Sequence, residues 1–305
     1  VSTGSLPRIL RPLRAAALTT LLLAGVAACG GEGHKSSASD ASTASPKSAE
    51  PRPSSAAPAD KGAAGKGSTS KTAPAEEHPG DGPLKGKVVV IDPGHNIHNQ
   101  DHPAEINRQV EAGNGRKECD TTGTATNSGY AEATFSLDVA HRIRRILQAQ
   151  GATVTLTHDG DRPYGPCVDE RAEIGNKAHA DASVSVHADG AAPGDRGFHV
   201  ILPALVKNEQ ADTSAIVGPS RELGERIAGN FVRVTGSAPS NYVGKGTGLD
   251  VRGDLGGLNL SKVPKVFIEC GNMRDPDDAA QLTDEAWREK AAQGIANGIS
   301  DFLHG

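Results

Sequence analysis

Aromatic side chains are scarce in this 305-residue chain, at 3%, with a single Trp and a single Met. More telling is where apolar residues are missing altogether. From Gly30 to Pro83 there is no Val, Ile, Leu, Met, Phe, Tyr, Trp or Cys. A stretch of Ser, Ala, Pro, Lys and Gly buries too little apolar surface to offset the entropy of ordering, so it cannot form a core. That excludes a second folded domain and leaves Leu84 to Gly305 as one domain of ordinary size. Basic charge is not in excess either. The net charge is −5, residues 1–28 carry three Arg, and residues 29–83 nearly balance, so the acidic surplus lies in 84–305. Without clustered Lys and Arg to displace counterions, nucleic acid is excluded as a partner.

A membrane-length apolar run is lacking too. Ala15 to Ala28 is broken by Thr19, Thr20 and Gly25. As a helix it would span roughly 21 Å, short of the ~30 Å hydrocarbon core. Preceded by Arg8, Arg11 and Arg14, it reads as a secretory signal over residues 1–28. Its end, Gly25-Val26-Ala27-Ala28-Cys29, resembles a bacterial lipobox, in which the Cys is acylated and becomes the new amino terminus. Membrane contact is then expected only through lipidated Cys29. Residues 29–83 are read as a disordered tether of on the order of 40 Å root-mean-square reach. With no separate wall-binding module read in the chain, retention at the envelope rests on that anchor. The expected location is the outer face of the cytoplasmic membrane, or the periplasm or cell wall, and the expected state a monomer.

Within 84–305, hydrophobic periodicity alternates. Strands are expected over Lys87–Ile91, Ala152–Thr157, Ala182–Val186, Gly197–Leu202 and Pro264–Glu269. Helices are expected over Ala131–Gln150, Val168–Ala180, Ser214–Val234 and Glu285–Leu303. This order predicts an α/β single domain, a mainly parallel central sheet flanked by helices. Residues 92–130 and 235–263 read as long irregular segments of the kind that carry function.

Ligand sites in such sheets gather at the carboxyl ends of the strands. Three such ends carry chemistry: Asp92-Pro93-Gly94-His95, Ser185-Val186-His187-Ala188-Asp189-Gly190 and Ile268-Glu269-Cys270-Gly271-Asn272. Two His and a carboxylate meeting in one cleft can hold a hydrolytic zinc with a position open for water. Glu105, Glu111 and Glu118 are competing carboxylates in the first irregular segment, and His98 and His102 read as exposed loop residues. Asp189 and Asn96 are candidates to orient the ligands from behind.

The segments VVVIDPGHN (88–96), GYAEATFSLDVAHRIRRIL (129–147), DERAEIGNKAHADASVSVHADG (169–190) and VPKVFIECGNMRDPDDAAQL (263–282) resemble the zinc-dependent N-acetylmuramoyl-L-alanine amidases of the type 3 class. The resemblance runs in order over essentially all of 84–305, which makes that span the expected catalytic domain. It implies that His95, Glu132 and His187 bind Zn2+ and that Glu269 acts on the bound water. It also implies a peptidoglycan or muropeptide substrate, cut between N-acetylmuramic acid and L-alanine. Asn272 departs from the pattern, since many members carry an apolar residue there. Two rival functions share these residues: a zinc carboxypeptidase or endopeptidase of the stem peptide, and a non-catalytic envelope-binding protein.

Four Cys in an exported chain point to disulfide use. With Cys29 lipidated and Cys270 facing away from Glu269 as a buried thiol, Cys119 and Cys167 are left to pair. Their bridge would close a loop of about 49 residues and pin the first irregular segment near the site. Arg252, Asp254 and Asn259 either line the cleft or make turns.

Overall fold

The computed structural model describes residues 81–305. The segment expected to be a secretory signal, Cys29 and all but the end of the expected tether lie outside the described residues. The elements follow in the order β1 (Val88–Pro93), α1 (Pro103–Ile106), β2 (Gln109–Glu111), β3 (Arg116–Glu118), α2 (Glu132–Ala149), β4 (Thr153–Leu156), α3 (Val168–Lys177) and β5 (Ala182–Asp189). Then come β6 (His199–Pro203), α4 (Val217–Thr235), β7 (Leu249–Arg252), α5 (Gly256–Asn259), β8 (Lys265–Asn272), α6 (Pro276–Thr283) and α7 (Glu285–His304).

Six strands form one sheet in the order β4-β1-β5-β8-β6-β7. Neighbours run parallel except β6 against β8, so the expected mainly parallel sheet is found, with β6 and β7 reversed. Side chains alternate across a strand, and here the alternation sorts them by chemistry. Val89, Ile91, Val184, Val186, Val266, Ile268, Val200 and Leu202 share one face and join the main core with α2, α4 and α7. The amphipathic stripe of α2 (Phe135, Val139, Ile143, Leu147) is fully buried against it. Each such side chain contributes roughly 1.5–3 kcal/mol by leaving water.

The opposite face carries Asp92 on β1, Ser183, Ser185 and His187 on β5, and Lys265, Phe267 and Glu269 on β8. It is covered lower down by α3, where Val90, Val263 and Ala180 form a small second cluster. Cys270 points to the apolar face and is a buried free thiol, as expected from its place next to Glu269.

The two segments read as irregular are not wholly so. The first holds the antiparallel hairpin β2–β3 and the second holds β7 and the short α5. β2 and β3 are three residues long with at most one apolar side chain, and β7 has two apolar residues in a polar, Gly-rich stretch, too few to set a period. Helix α6 was also unread. Its start is marked by Asp275, whose side chain accepts from the amides of Asp277 and Asp278, followed by Pro276 at the first helical position. No helix of the described residues is long and apolar enough to cross a membrane.

Candidate metal centre

His95 follows β1, Glu132 opens α2 and His187 lies near the end of β5. The structure brings one ligand atom of each to within 4.8 Å of the others. Glu132 Oε1 sits between the rings, 3.1 Å from His95 Nε2 and 2.9 Å from His187 Nδ1. The rings stand edge-on with centroids 4.9 Å apart. Glu132 is fixed by its other contacts: Oε2 accepts from the Thr124 amide at 2.9 Å, and Oε1 from the Ala188 amide at 3.3 Å. A carboxylate in the first turn of a helix also meets the favourable end of the helix dipole.

Close approach around this cluster requires glycine at two places. A side chain at Gly94 would put its Cβ 2.2 Å from the His187 ring. At Gly123, where φ is +73°, a Cβ would meet both Glu132 and His95 at 2.8 Å. His95 itself is held at φ 62°, in the left-handed region that non-glycine residues seldom occupy. Arg171 secures that turn by donating to the His95 carbonyl at 3.0 Å.

Arg171 was not singled out from the sequence, yet all five of its N–H donors are used here. Besides His95 they reach the carbonyls of Pro166 (2.8 Å) and Pro93 (2.7 Å) and the carboxylates of Asp92 (2.7 Å) and Asp120 (2.8 Å). Asp120 in turn lies 3.7 Å from His95 Nδ1, which also contacts the Thr121 carbonyl at 3.1 Å. Thr121 and Asp120 thus face the His95 ring, and Ser185 Oγ lies 3.1 Å from His187 Nε2. Asn96 instead donates to the carbonyls of Arg162 and Gly165, and Asp189 accepts from the Tyr242 hydroxyl.

Charge follows geometry. Burial opposes a charge on His95, but the Glu132 carboxylate, aided by Asp120, holds its pKa well above the ordinary imidazole value. Burial would raise Glu132, yet the two imidazoles outweigh it and keep this carboxyl well below the usual range. Two imidazole nitrogens and a carboxylate oxygen converging at this distance suit a cation. Glu269 runs the other way. Burial first, then the charges of Glu132 and Asp189, push its pKa well above the ordinary carboxylate value. Its Oε2 is buried with no hydrogen-bond partner among the described residues. Glu269 pairs in register with His187 on β5 and with His199 on β6.

Two adjoining cavities share His95, His187, Phe267 and Leu255. One of about 240 Å³ runs under the hairpin past Lys117 and Gly256, and one of about 290 Å³ takes in Glu132, Glu269, Asp189 and Arg252. Phe267 lies flat against His187, with 5.2 Å between centroids and 3° between planes. Cys119 and Cys167 are bridged as expected, which ties the hairpin strand β3 to the start of α3 and holds the adjacent Asp120 in place.

The competing residues are not part of the metal cluster, although Glu118 lines the cavity under the hairpin. Glu111 accepts from the amides of Ala112 and Gly113, Glu118 faces Gln109, and Glu105 lies 3.8 Å from His102. His98 is exposed, while the half-buried His102 packs against Tyr164. Of the second segment, Arg252 reaches the cleft while forked onto Asp254 at 2.9 and 2.6 Å. Asn259 is buried and donates to the carbonyls of Ala112 and Gly253, a turn role.

Comparison with known proteins bears on this site directly. A family profile described as N-acetylmuramoyl-L-alanine amidase matches residues 89–301. The chain is 41% identical over 221 residues to N-acetylmuramoyl-L-alanine amidase Rv3717 of Mycobacterium tuberculosis, a match covering 72% of this chain and 88% of that protein. It is 25% identical to N-acetylmuramoyl-L-alanine amidase LytC of Bacillus subtilis, over 72% of this chain and 36% of that longer protein. Among solved structures, the N-acetylmuramyl-L-alanine amidase Ami1 from Mycobacterium smegmatis superposes with a TM-score of 0.67 at 40% identity, covering 72% of this chain and 98% of that one.

Proposed function

Because the chain belongs to the N-acetylmuramoyl-L-alanine amidase family, we propose that residues 84–305 form a zinc-dependent catalytic domain. On this reading it hydrolyses the amide between the lactyl group of N-acetylmuramic acid and the L-alanine of peptidoglycan or its muropeptide fragments. His95, Glu132 and His187 hold the ion and Glu269 moves the proton. The observation that carries this reading is one of placement. Three side chains from separate segments converge within 4.8 Å, beside a buried carboxylate whose free oxygen has no other partner.

The donor set fits zinc: two imidazoles and one carboxylate, with room for a fourth position in the adjoining cavity. When bound, zinc supplies a Lewis acid that polarises the scissile carbonyl and acidifies water. The chain's own residues do the rest. Glu269 Oε2 accepts the proton of the attacking water and returns it to the leaving amine of L-alanine, a cycle that consumes one water and regenerates the carboxylate. Burial beside Glu132 and Asp189 gives Glu269 a basicity above that of a free carboxylate, which suits both halves of the cycle. Phe267 keeps the His187 ring flat and dry from one side. Export as a lipoprotein through Cys29, with residues 29–83 as tether, would place this chemistry at the cell wall.

Incubation of the purified chain with defined muropeptides, with and without a chelator, tests the proposal. The expected products are a lactyl carboxylate and a new L-alanine amine, seen by mass spectrometry and absent with chelator. Cleavage within the stem peptide instead would identify a peptidase, and binding without cleavage a non-catalytic protein.

A further inference from the structure

Asp92 lies out of reach of the metal cluster, yet every oxygen lone pair it has is spoken for. Oδ1 accepts from Thr157 Oγ1 at 2.6 Å and Arg171 Nη1 at 2.7 Å. Oδ2 accepts from Ser185 Oγ at 2.8 Å and faces Lys265 Nζ at 3.5 Å. A carboxylate surrounded by four donors, two of them cationic, is an acceptor only. Ser185 must therefore donate its single hydroxyl proton to Asp92. Its Oγ lies 3.1 Å from His187 Nε2, and with its proton already given it can only accept there. That contact is satisfied when Nε2 carries the imidazole proton, which leaves the lone pair on Nδ1, the atom facing Glu132 at 2.9 Å.

We propose that Asp92, acting through Ser185, sets the tautomer of His187 so that Nδ1 is the nitrogen offered to the metal. Asp92 and Ser185 are thus positioning residues. His95 presents its other nitrogen: its Nδ1 faces the Thr121 carbonyl and hydroxyl, each at 3.1 Å, with Asp120 Oδ1 at 3.7 Å, and its Nε2 faces Glu132 at 3.1 Å. The two rings would then meet one ion through different nitrogens, and at His187 the partner is an acceptor whose role Asp92 fixes. Arg171 joins the two sets of partners, since the same guanidinium bonds Asp92 and Asp120. This inference rests on the metal-site reading of the preceding section.

The test is the protein labelled with heavy nitrogen in its histidines, loaded with zinc and observed by long-range proton–nitrogen correlation. The expected spectrum shows His187 bound through Nδ1 with its proton on Nε2, and His95 bound through Nε2. Zinc on Nε2 of His187 would overturn the relay while leaving the metal site intact. Failure of the wild-type chain to bind zinc would overturn the metal reading beneath it. A second arm measures zinc dissociation by competition with a chelating dye. Ser185→Ala should weaken binding roughly tenfold to a hundredfold, the usual cost of losing a partner behind a ligating His. Ser185→Thr, which keeps the hydroxyl, should stay within about threefold of wild type. Equal affinity of Ser185→Ala and wild type would sink the proposal.

Discussion

The two faces of the central sheet are built from the same strands yet obey different rules. On one, Val184, Val186, Val266 and Ile268 are wholly buried among the apolar side chains of α2, α4 and α7. On the other, one residue away along each strand, Ser183, Ser185, Lys265 and Asp92 are equally buried but polar. Burial on the first face stabilises the fold. On the second it costs desolvation, which Asp92, Ser185 and Lys265 recover through hydrogen bonds and ion pairs, while Ser183 Oγ and Glu269 Oε2 are left without a partner among the described residues. The lesson is one of division of labour: the sheet spends stability gained on one face to hold a preorganised cluster of charge on the other.

If that division is real, the largest effect belongs to a change on the polar face that leaves the fold untouched. Glu269→Gln keeps the shape of the side chain and removes a buried carboxylate crowded by Glu132 and Asp189. Amide hydrolysis should fall by about 10²–10⁴, the range for losing a general acid–base. Metal content should be unchanged, and the melting temperature equal or higher. A variant that keeps wild-type turnover would remove Glu269 from the mechanism.

The converse change lies on the apolar side. Phe231 on α4 is fully buried, with its ring 4.8 Å from Phe198 and 6.0 Å from Trp287. Phe231→Ala should cost about 3–5 kcal/mol in denaturant unfolding, while turnover per folded molecule stays near wild type. Arg171→Met should cost a similar ~3–5 kcal/mol, because it strands two buried carboxylates. Unlike the Phe231 change, it should also lower zinc affinity, and measuring both quantities on both variants separates the faces.

Which parts of this were legible in the sequence follows from the same contrast. The apolar face was readable because Val, Ile and Phe announce themselves by period, so β1, β5, β8 and helices α2, α4 and α7 were placed within a few residues. His95, His187 and Glu269 were visible because they stand at strand ends in company. Glu132 entered only through resemblance, since an acid in a first turn is ordinary. The supporting layer was hidden. Ser-Val-Ser-Val-His (183–187) and Lys-Val-Phe-Ile-Glu (265–269) alternate strictly, a two-faced signal that could have shown Ser185 and Lys265 pointing with the site. Arg171 and Asp120 carry no such signal, because their meeting depends on the packing of α3 and on the insertion held by the Cys119–Cys167 bridge.

That bridge gives the next prediction in size. Cys119→Ser with Cys167→Ser releases a constraint over 48 residues of sequence separation. The expected loss is about 2–4 kcal/mol, read as a shift of the unfolding midpoint. Because Cys119 precedes Asp120, zinc affinity should weaken as well, though less than with Arg171→Met. An unchanged affinity would show that the hairpin is not needed to seat Asp120.

The smallest effect is expected at Lys265, the second cation of Asp92. Its ammonium is fully buried and 3.5 Å from Asp92 Oδ2, a longer contact than the one Arg171 makes. Burial pushes its pKa below the ordinary lysine value, with Asp92 only partly restoring it. A depressed lysine pKa means the unfolded chain binds the proton more tightly, so the charge works against folding at neutral pH. That penalty fades as pH rises from the folded pKa toward ~10.4. Lys265→Met should therefore change stability by less than about 1.5 kcal/mol at neutral pH, since Asp92 keeps Thr157, Ser185 and Arg171. Any advantage of the variant should shrink in unfolding curves taken at increasing pH. A loss as large as that of Arg171→Met would instead mean that the two cations hold Asp92 jointly, and that the polar face has no spare member.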